Sequence, residues 1–219
     1  MTEDSLALFQ DLNLRTRSAD VSIRDAILKR VNAPWAHDPE REKHSLELRL
    51  HGEDVIAFTR EPFEGIVGSS LMLWQVEDGY RVSNIVPNKS GELGVKRYNI
   101  ILRDFVERVA RPAAAEAGFK VDLTSEFQLL EAWVGDDVAA KLRRFSSAAN
   151  KSTGASHPMD QSRWFEFIIA AHKRSVRLDP DRLVRWLIEV EHWPQDIAIE
   201  LAMEYETSRE LLQKYDEEA

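Results

Sequence analysis

The sequence predicts an α+β protein. An antiparallel sheet of about five strands with one long helix packed on it occupies residues 1–124, and an all-helical C-terminal domain occupies residues 125–219. Three observations carry this. Alternation of apolar and polar residues, the mark of a half-buried strand, is confined to residues 40–124. Within that stretch lies one long stripe at three- and four-residue spacing: Val95, Tyr98, Leu102, Phe105 and Val109. From Ser125 onward alternation stops, and prolines at helix starts (Pro158, Pro180, Pro194) take over.

In chain order, residues 5–14 and 22–31 carry short helical patterns (Leu6, Leu8, Phe9, Leu12, then Ile23, Ile27, Leu28, Val31), and Asn32 to Pro39 is a proline-punctuated connection. Leu46, Leu48 and Leu50 alternate with Glu47 and Arg49 as a strand, which Gly52-Glu53-Asp54 turns into a second at Val55 to Thr59. Ser69 to Val76 is a third, and Asp78-Gly79 marks a tight hairpin into Tyr80 to Val86. In the long helix, Ile100, Ile101 and Val106 widen the apolar surface beyond one stripe. That surplus must meet the helical domain, a second subunit or a partner. Pro112 kinks or ends the helix, Gly118 closes it, and Phe119 to Leu123 alternates as a last strand. Helices follow near 126–134, 136–149, 158–174, 180–191 (capped by Asp179) and 195–215. The boundary near residue 125 has no flexible linker, so the two parts are expected to pack together, and the last residues from Tyr215 are expected to fray.

Composition narrows the function classes. There are no cysteines, which excludes disulfides, thiolate catalysis and cysteine-ligated metals and fits a cytoplasmic protein. No apolar run approaches the ~18 residues that span a bilayer, and the N-terminus lacks a signal-peptide pattern, so no membrane role is expected. The net charge of −9 argues against indiscriminate nucleic-acid binding. The average hides an asymmetry. Lys141 to Arg185 holds ten Lys/Arg against four Asp/Glu, whereas Trp186 to Ala219 holds two against ten. Either the acidic last helix lies across basic neighbours and the charges cancel, or the basic block awaits an anionic ligand or partner.

The densest polar chemistry is the loop between the 136–149 and 158–174 helices. Asn150, Lys151, Ser152, Thr153, Gly154, Ser156 and His157 fall within eight residues. Amides around Ser152 to Gly154, with the next helix's N-terminus, can form an anion-binding concavity. Arg143, Arg144, Lys151 and Arg163 are near enough in sequence to reach it, so Arg143, Arg144, Asn150, Lys151, Ser152, Thr153, His157 and Arg163 form the candidate phosphate-type ligand set. It is not a Walker A loop, because Lys151-Ser152-Thr153 precedes its glycine and follows a helix. The competing expectation is that these groups only cap helix ends and satisfy backbone. His157 beside a hydroxyl, oriented by Asp160, could activate a nucleophile; local hydrogen bonding is the simpler expectation. No catalytic set is complete, and no cofactor is expected. His157, Asp160 and His172 lack helical zinc spacing, and the seven-residue recurrence of His37, His44 and His51 falls across a loop and a strand, where it has no meaning. Most of the six tryptophans are expected in the core, with Trp35 and Trp193, each beside a proline, exposed.

Two stretches, Tyr98-Asn-x-Ile-Leu-x-Asp-Phe105 and Arg144-Phe-Ser-x-Ala-Ala-Asn-Lys-Ser-Thr-Gly-x-Ser-His-Pro-x-Asp-x-x-x-Trp164, resemble a set of uncharacterised bacterial proteins. The resemblance spans roughly residues 80–215. It implies a bacterial origin and a shared loop, and it brings no activity, ligand or catalytic residue.

The expectation is therefore a cytoplasmic bacterial binding or regulatory protein without catalysis, of the antitoxin, immunity or phage-defence accessory type, acting on a protein partner. The alternative is a phosphate-ligand binding protein or hydrolase, taking a nucleotide or nucleic-acid end at the Asn150–His157 loop.

Overall fold

The computed structural model describes residues 4–18, 20–47 and 54–218. Its contacts divide the chain into two compact units: Ala7–Glu126, and Phe127–Ala219 together with the opening stretch that ends at Leu6.

The first unit is built on a six-stranded antiparallel sheet, in the order β3-β4-β5-β6-β2-β7. Its strands are β2 (Leu12–Arg15), β3 (Trp35–His37), β4 (Val55–Arg60), β5 (Ser69–Val76), β6 (Gly79–Pro87) and β7 (Lys120–Leu123). Its helices are α1 (Ile23–Arg30), α2 (Pro39–Glu47), α3 (Gly94–Phe105) and α4 (Arg111–Ala117). One face carries Leu12, Leu14, Ile56, Phe58, Leu71 and Leu73, which pack on Ile27 of α1 and on Ile101, Leu102 and Phe105 of α3. A bulge opposite Met72/Leu73 changes the parity of β6, so Val82 and Ile85 both reach this core although they stand three positions apart. Gly79 opens β6 at φ +152°, where an added Cβ would stand 1.9 Å from the Leu14 carbonyl oxygen.

Pro112 does not end the long helix. A five-residue π-helical segment, Val106–Ala110, joins α3 to α4, and Pro112 sits in the first turn of α4. Proline cannot donate to the carbonyl four residues back, and the ladder widens just before it. The widened turn keeps Val106, Val109 and Ala110 in the core beyond the stripe of α3. Gly118, left-handed at φ +81°, closes α4 as expected.

In the second unit β1 (Ser5–Ala7) pairs with β8 (Phe127–Leu129) as a two-stranded sheet. Five helices follow: α5 (Glu131–Val134), α6 (Asp136–Ala148), α7 (Pro158–Lys173), α8 (Pro180–Glu189) and α9 (Gln195–Glu218). A row of aromatics runs through its core. Trp193 stacks on Phe145 at 5.5 Å, and Trp164, Phe167 and Tyr205 continue the row at spacings of 4.8–5.6 Å. The caps read from sequence are in place: Asp179 accepts from the Arg182 amide at 3.0 Å, and His157 caps α7.

Several expectations are corrected. The helical pattern at 5–14 belongs to strands β1 and β2; Leu6 and Leu12 are buried from strand positions, while Phe9 lies exposed between them. Leu46 and Glu47 end helix α2, and the rest of the strand expected at 46–50, with its turn at 52–53, lies outside the described residues. The 32–39 connection contains β3, which brings the sheet to six strands. Residues 126–134 form β8 and the short α5, so this unit is not purely helical. Trp35 and Trp193 are both buried, because each indole N–H finds an acceptor inside: Asp104 for Trp35 and Ser146 for Trp193.

Candidate functional site

The 150–157 loop spends most of its polar groups on itself. Asn150 Oδ1 accepts from the Ser152 amide at 3.0 Å and from the Ser152 hydroxyl at 2.8 Å. The Asn150 carbonyl accepts from the Thr153 and Gly154 amides, both at 3.0 Å. The Ser156 hydroxyl donates to the Thr153 carbonyl at 2.7 Å. His157 Nδ1 accepts from the Met159 amide at 3.3 Å as the α7 cap, and among the described residues no hydroxyl bonds to this ring. Gly154 turns the chain at φ +61°, where an added Cβ would stand 3.1 Å from Ile197 of α9. The loop thus packs down on the start of that helix.

Its candidate cations point to separate places. Arg143 forms a two-pronged pair with Glu131, both distances 3.1 Å, and its hydrogen bonds hold the Glu131 carboxyl below the ordinary range. Arg163 pairs with the buried Asp160 at 2.7 Å on its own helix. Arg144 is exposed and 3.6 Å from Glu166. Lys151 donates to the Glu191 carbonyl and lies over the Trp193 ring, while the Ser146 hydroxyl donates to the Glu191 carboxylate at 2.7 Å. Ser146, Lys151, Glu191 and Trp193 together tie the end of α6 to the α8–α9 connection.

The concavity beside the loop holds about 230 Å³ and is lined by Thr153 to Ser156, Gln161 and the α9 face from Ile197 to Glu204. Of the candidate set only Thr153 lines it, and its charged members are Glu200 and Glu204. Burial raises the Glu204 carboxyl above its ordinary range, against a smaller opposing effect of the nearby Trp164 indole. Two carboxylates and no cation suit a cation or a neutral donor better than a phosphate. Among the described residues no group of three or more His, Asp or Glu is placed to hold a metal ion. No helix there is long and apolar enough to cross a membrane.

Two features that the sequence reading did not single out stand free. One is the junction of β6 and α3. Asn88-Lys89-Ser90-Gly91-Glu92-Leu93 leads into α3, whose N-terminus has no side-chain cap and no acidic residue in its first turn. A cleft of about 530 Å³ opens there between Pro62, Val67, Pro87 and Leu93, with Lys89 and Arg97 among its lining residues and Glu61 and Glu92 also present. The visible signal was a lysine, a serine and two glycines between a strand and a helix.

The other is the outer face of α9. Ile199, Met203, Leu211 and Tyr215 fall on one four-residue spacing and are 41, 64, 70 and 69% exposed. They make a ridge that rises roughly 24 Å at 1.5 Å per residue while winding about 160° round the helix, so only neighbours one turn apart, such as Leu211 and Tyr215, share a face. Glu200, Glu206, Glu210, Glu217 and Glu218 are exposed around it and form no ion pair among the described residues. Among the described residues the one such contact from the basic block to α9 is His172 Nε2 with Asp216, at 2.7 Å, an ion pair only with the ring protonated. The signal was present in sequence as widely spaced apolar residues on an otherwise acidic helix.

No protein-family model, no curated protein and no solved structure matches the chain.

Proposed function

We propose that the chain is a binding protein of regulatory type that acts through protein–protein contacts, with the outer face of α9 as its contact surface. The antitoxin, immunity and phage-defence accessory roles are the settings such a protein suits. The observation that carries the reading is the α9 ridge: four exposed apolar side chains among glutamates that form no ion pair among the described residues. Scattered exposed apolar residues are ordinary, but Leu211 and Tyr215, one turn apart and both about 70% exposed, offer a pair of anchors for a helix-in-groove contact. The surrounding carboxylates select a basic partner and speed the encounter. The test is capture from the native host by the wild-type chain and by a Leu211→Glu/Tyr215→Glu variant. A basic protein retained by the first and lost by the second supports the reading. Equal retention by both removes α9 as the contact.

A second reading, binding of an anionic ligand, is favoured by a different observation: Lys89 and Arg97 line the cleft at the uncapped start of α3 and, with Lys96 in its first turn, form no ion pair among the described residues. The amides there and the helix's partial positive charge suit a phosphate or carboxylate. Thermal shifts with nucleotides and sugar phosphates test it. A shift lost in Lys89→Ala/Arg97→Ala places the ligand at this cleft, whereas one lost in Arg144→Ala/Lys151→Ala returns it to the 150–157 loop.

A further inference from the structure

We infer that the acidic ridge of α9 has a second docking partner, the basic face of α6 and α7 on another copy of this chain, so that self-association competes with the partner protein. This rests on the reading of α9 as a contact surface. The receiving face is a groove of about 380 Å³ between α6 and α7, with Ile169 and Ala170 in its lining and Lys141, Lys173 and Arg174 around it. Phe165 and Ile169, one helical turn apart on α7, are 40 and 43% exposed, so the groove continues into an apolar strip. Two carboxylates lie in this region. Asp137 is 3.9 Å from Arg174, and Glu166 is 3.6 Å from Arg144. Both pairs are long and exposed, and Lys141 and Lys173 have no carboxylate partner among the described residues.

The two surfaces match in two respects. Each carries apolar residues at helical spacing. Their free charges are predominantly opposite, with the exposed Lys214 the exception on α9. The same charges exclude the symmetric alternatives: two α9 ridges facing each other would oppose rows of carboxylates, and two α6–α7 faces would oppose lysines. Within one molecule α9 cannot fill its own groove, because it already runs beside α7 on another side. Tyr205 stacks on Phe167 at 5.6 Å there, and Asp216 reaches His172. The contact is therefore between unlike surfaces, which closes as a reciprocal pair or continues from copy to copy.

Sedimentation velocity of the full chain over a concentration series, at low and high salt, is the test. The expected result is association that grows with concentration and weakens with added salt, because exposed charges are screened within about 10 Å at 0.1 M. Phe165→Glu/Ile169→Glu and Leu211→Glu/Tyr215→Glu should each give a monomer. An equimolar mixture of Lys141→Glu/Lys173→Glu with Glu206→Lys/Glu210→Lys should associate more tightly than either variant alone. All of these positions are on the surface, and circular dichroism confirms that each variant is folded. A wild type that stays monomeric throughout overturns the inference, as does a dimer that survives the Phe165/Ile169 change. Either outcome leaves the partner-capture result standing, so failure of self-association is distinguishable from failure of the α9 reading.

Discussion

Replacing Arg60 by methionine should destabilise the sheet unit by about 3 kcal/mol. Arg60 is fully buried, and its guanidinium makes four bonds. Nε donates to Asp104 Oδ2 at 2.9 Å, and the two terminal nitrogens donate to the carbonyls of Glu61, Ile66 and Phe63 at 3.0–3.3 Å. Removing one partner of a buried pair costs about 3–5 kcal/mol. The lower end applies here, because Asp104 keeps Arg108 at 2.7 Å and the Trp35 indole at 2.8 Å. What is lost outright is the donor set for three loop carbonyls at roughly 1 kcal/mol each, which reaches the same figure independently. For a chain of this size about 3 kcal/mol corresponds to roughly 6–12 °C in Tm. Urea unfolding followed by circular dichroism measures it. The pair also predicts a pH dependence. Burial alone would raise the Asp104 carboxyl, but hydrogen bonds from Arg60, Arg108 and Trp35 outweigh it and hold the group below the usual carboxylate range. A depressed folded value means that the stabilisation is complete above the unfolded pKa of ~3.9 and is lost as pH falls through the folded one. The gap between wild type and Arg60→Met should therefore narrow in acid. A cost under about 1 kcal/mol at neutral pH, or a gap that does not change with pH, refutes the reasoning.

Gly79→Ala should break the β2–β6 pairing, because its Cβ would meet the Leu14 carbonyl oxygen at 1.9 Å from a backbone at φ +152°; we expect a loss of at least about 2 kcal/mol in the same unfolding assay. Ser146→Ala removes the acceptor of the buried Trp193 indole and a donor to the half-buried Glu191 together, and leaving the indole N–H unsatisfied should cost about 1–3 kcal/mol, read as a lower Tm. Burial pushes the Tyr98 phenol up to about 12 and raises Tyr80 and Tyr205 as well, so absorbance titration should show these three ionising above the ordinary phenol range. Because their folded values are raised, the stability they contribute is present below pH ~10 and is lost as pH rises through the folded values.

Elements with strong local signals were legible in the sequence. Strands β4, β5 and β6 and helices α1, α6, α7 and α8 stand within a few residues of their expected bounds, since alternation, caps and proline starts act over short range. The misses share a cause. Residues 5–14 are too short to separate helical from strand spacing, and what makes them strands is pairing with segments over a hundred residues away, such as Leu14 with Val121. Trp35 and Trp193 were expected at the surface because of neighbouring prolines, yet partners distant in sequence bury them. In the 150–157 loop the residue types were legible but their partners were not. Asn150 and Ser152 find each other two residues apart, whereas Lys151 finds Glu191 forty residues on.

The charge asymmetry shows what local geometry does to a long-range expectation. If the acidic tail cancelled the basic block, the carboxylates of α9 would take the arginines of α6 to α8. Those arginines are instead engaged nearer home: Arg163 by Asp160 three residues back, Arg185 by Glu189 four residues on, Arg143 by Glu131 across one short turn. Helical spacing presents such partners without ordering a distant segment, so they win. The exposed glutamates of α9 are then left facing water beside apolar side chains that its own packing does not use. Mutual repulsion along that face weakens the helix slightly, by an amount that salt screens. A basic surface laid on it would remove the repulsion and cover the ridge in one step, which is why the free face of α9, and not the polar loop, is where binding is proposed.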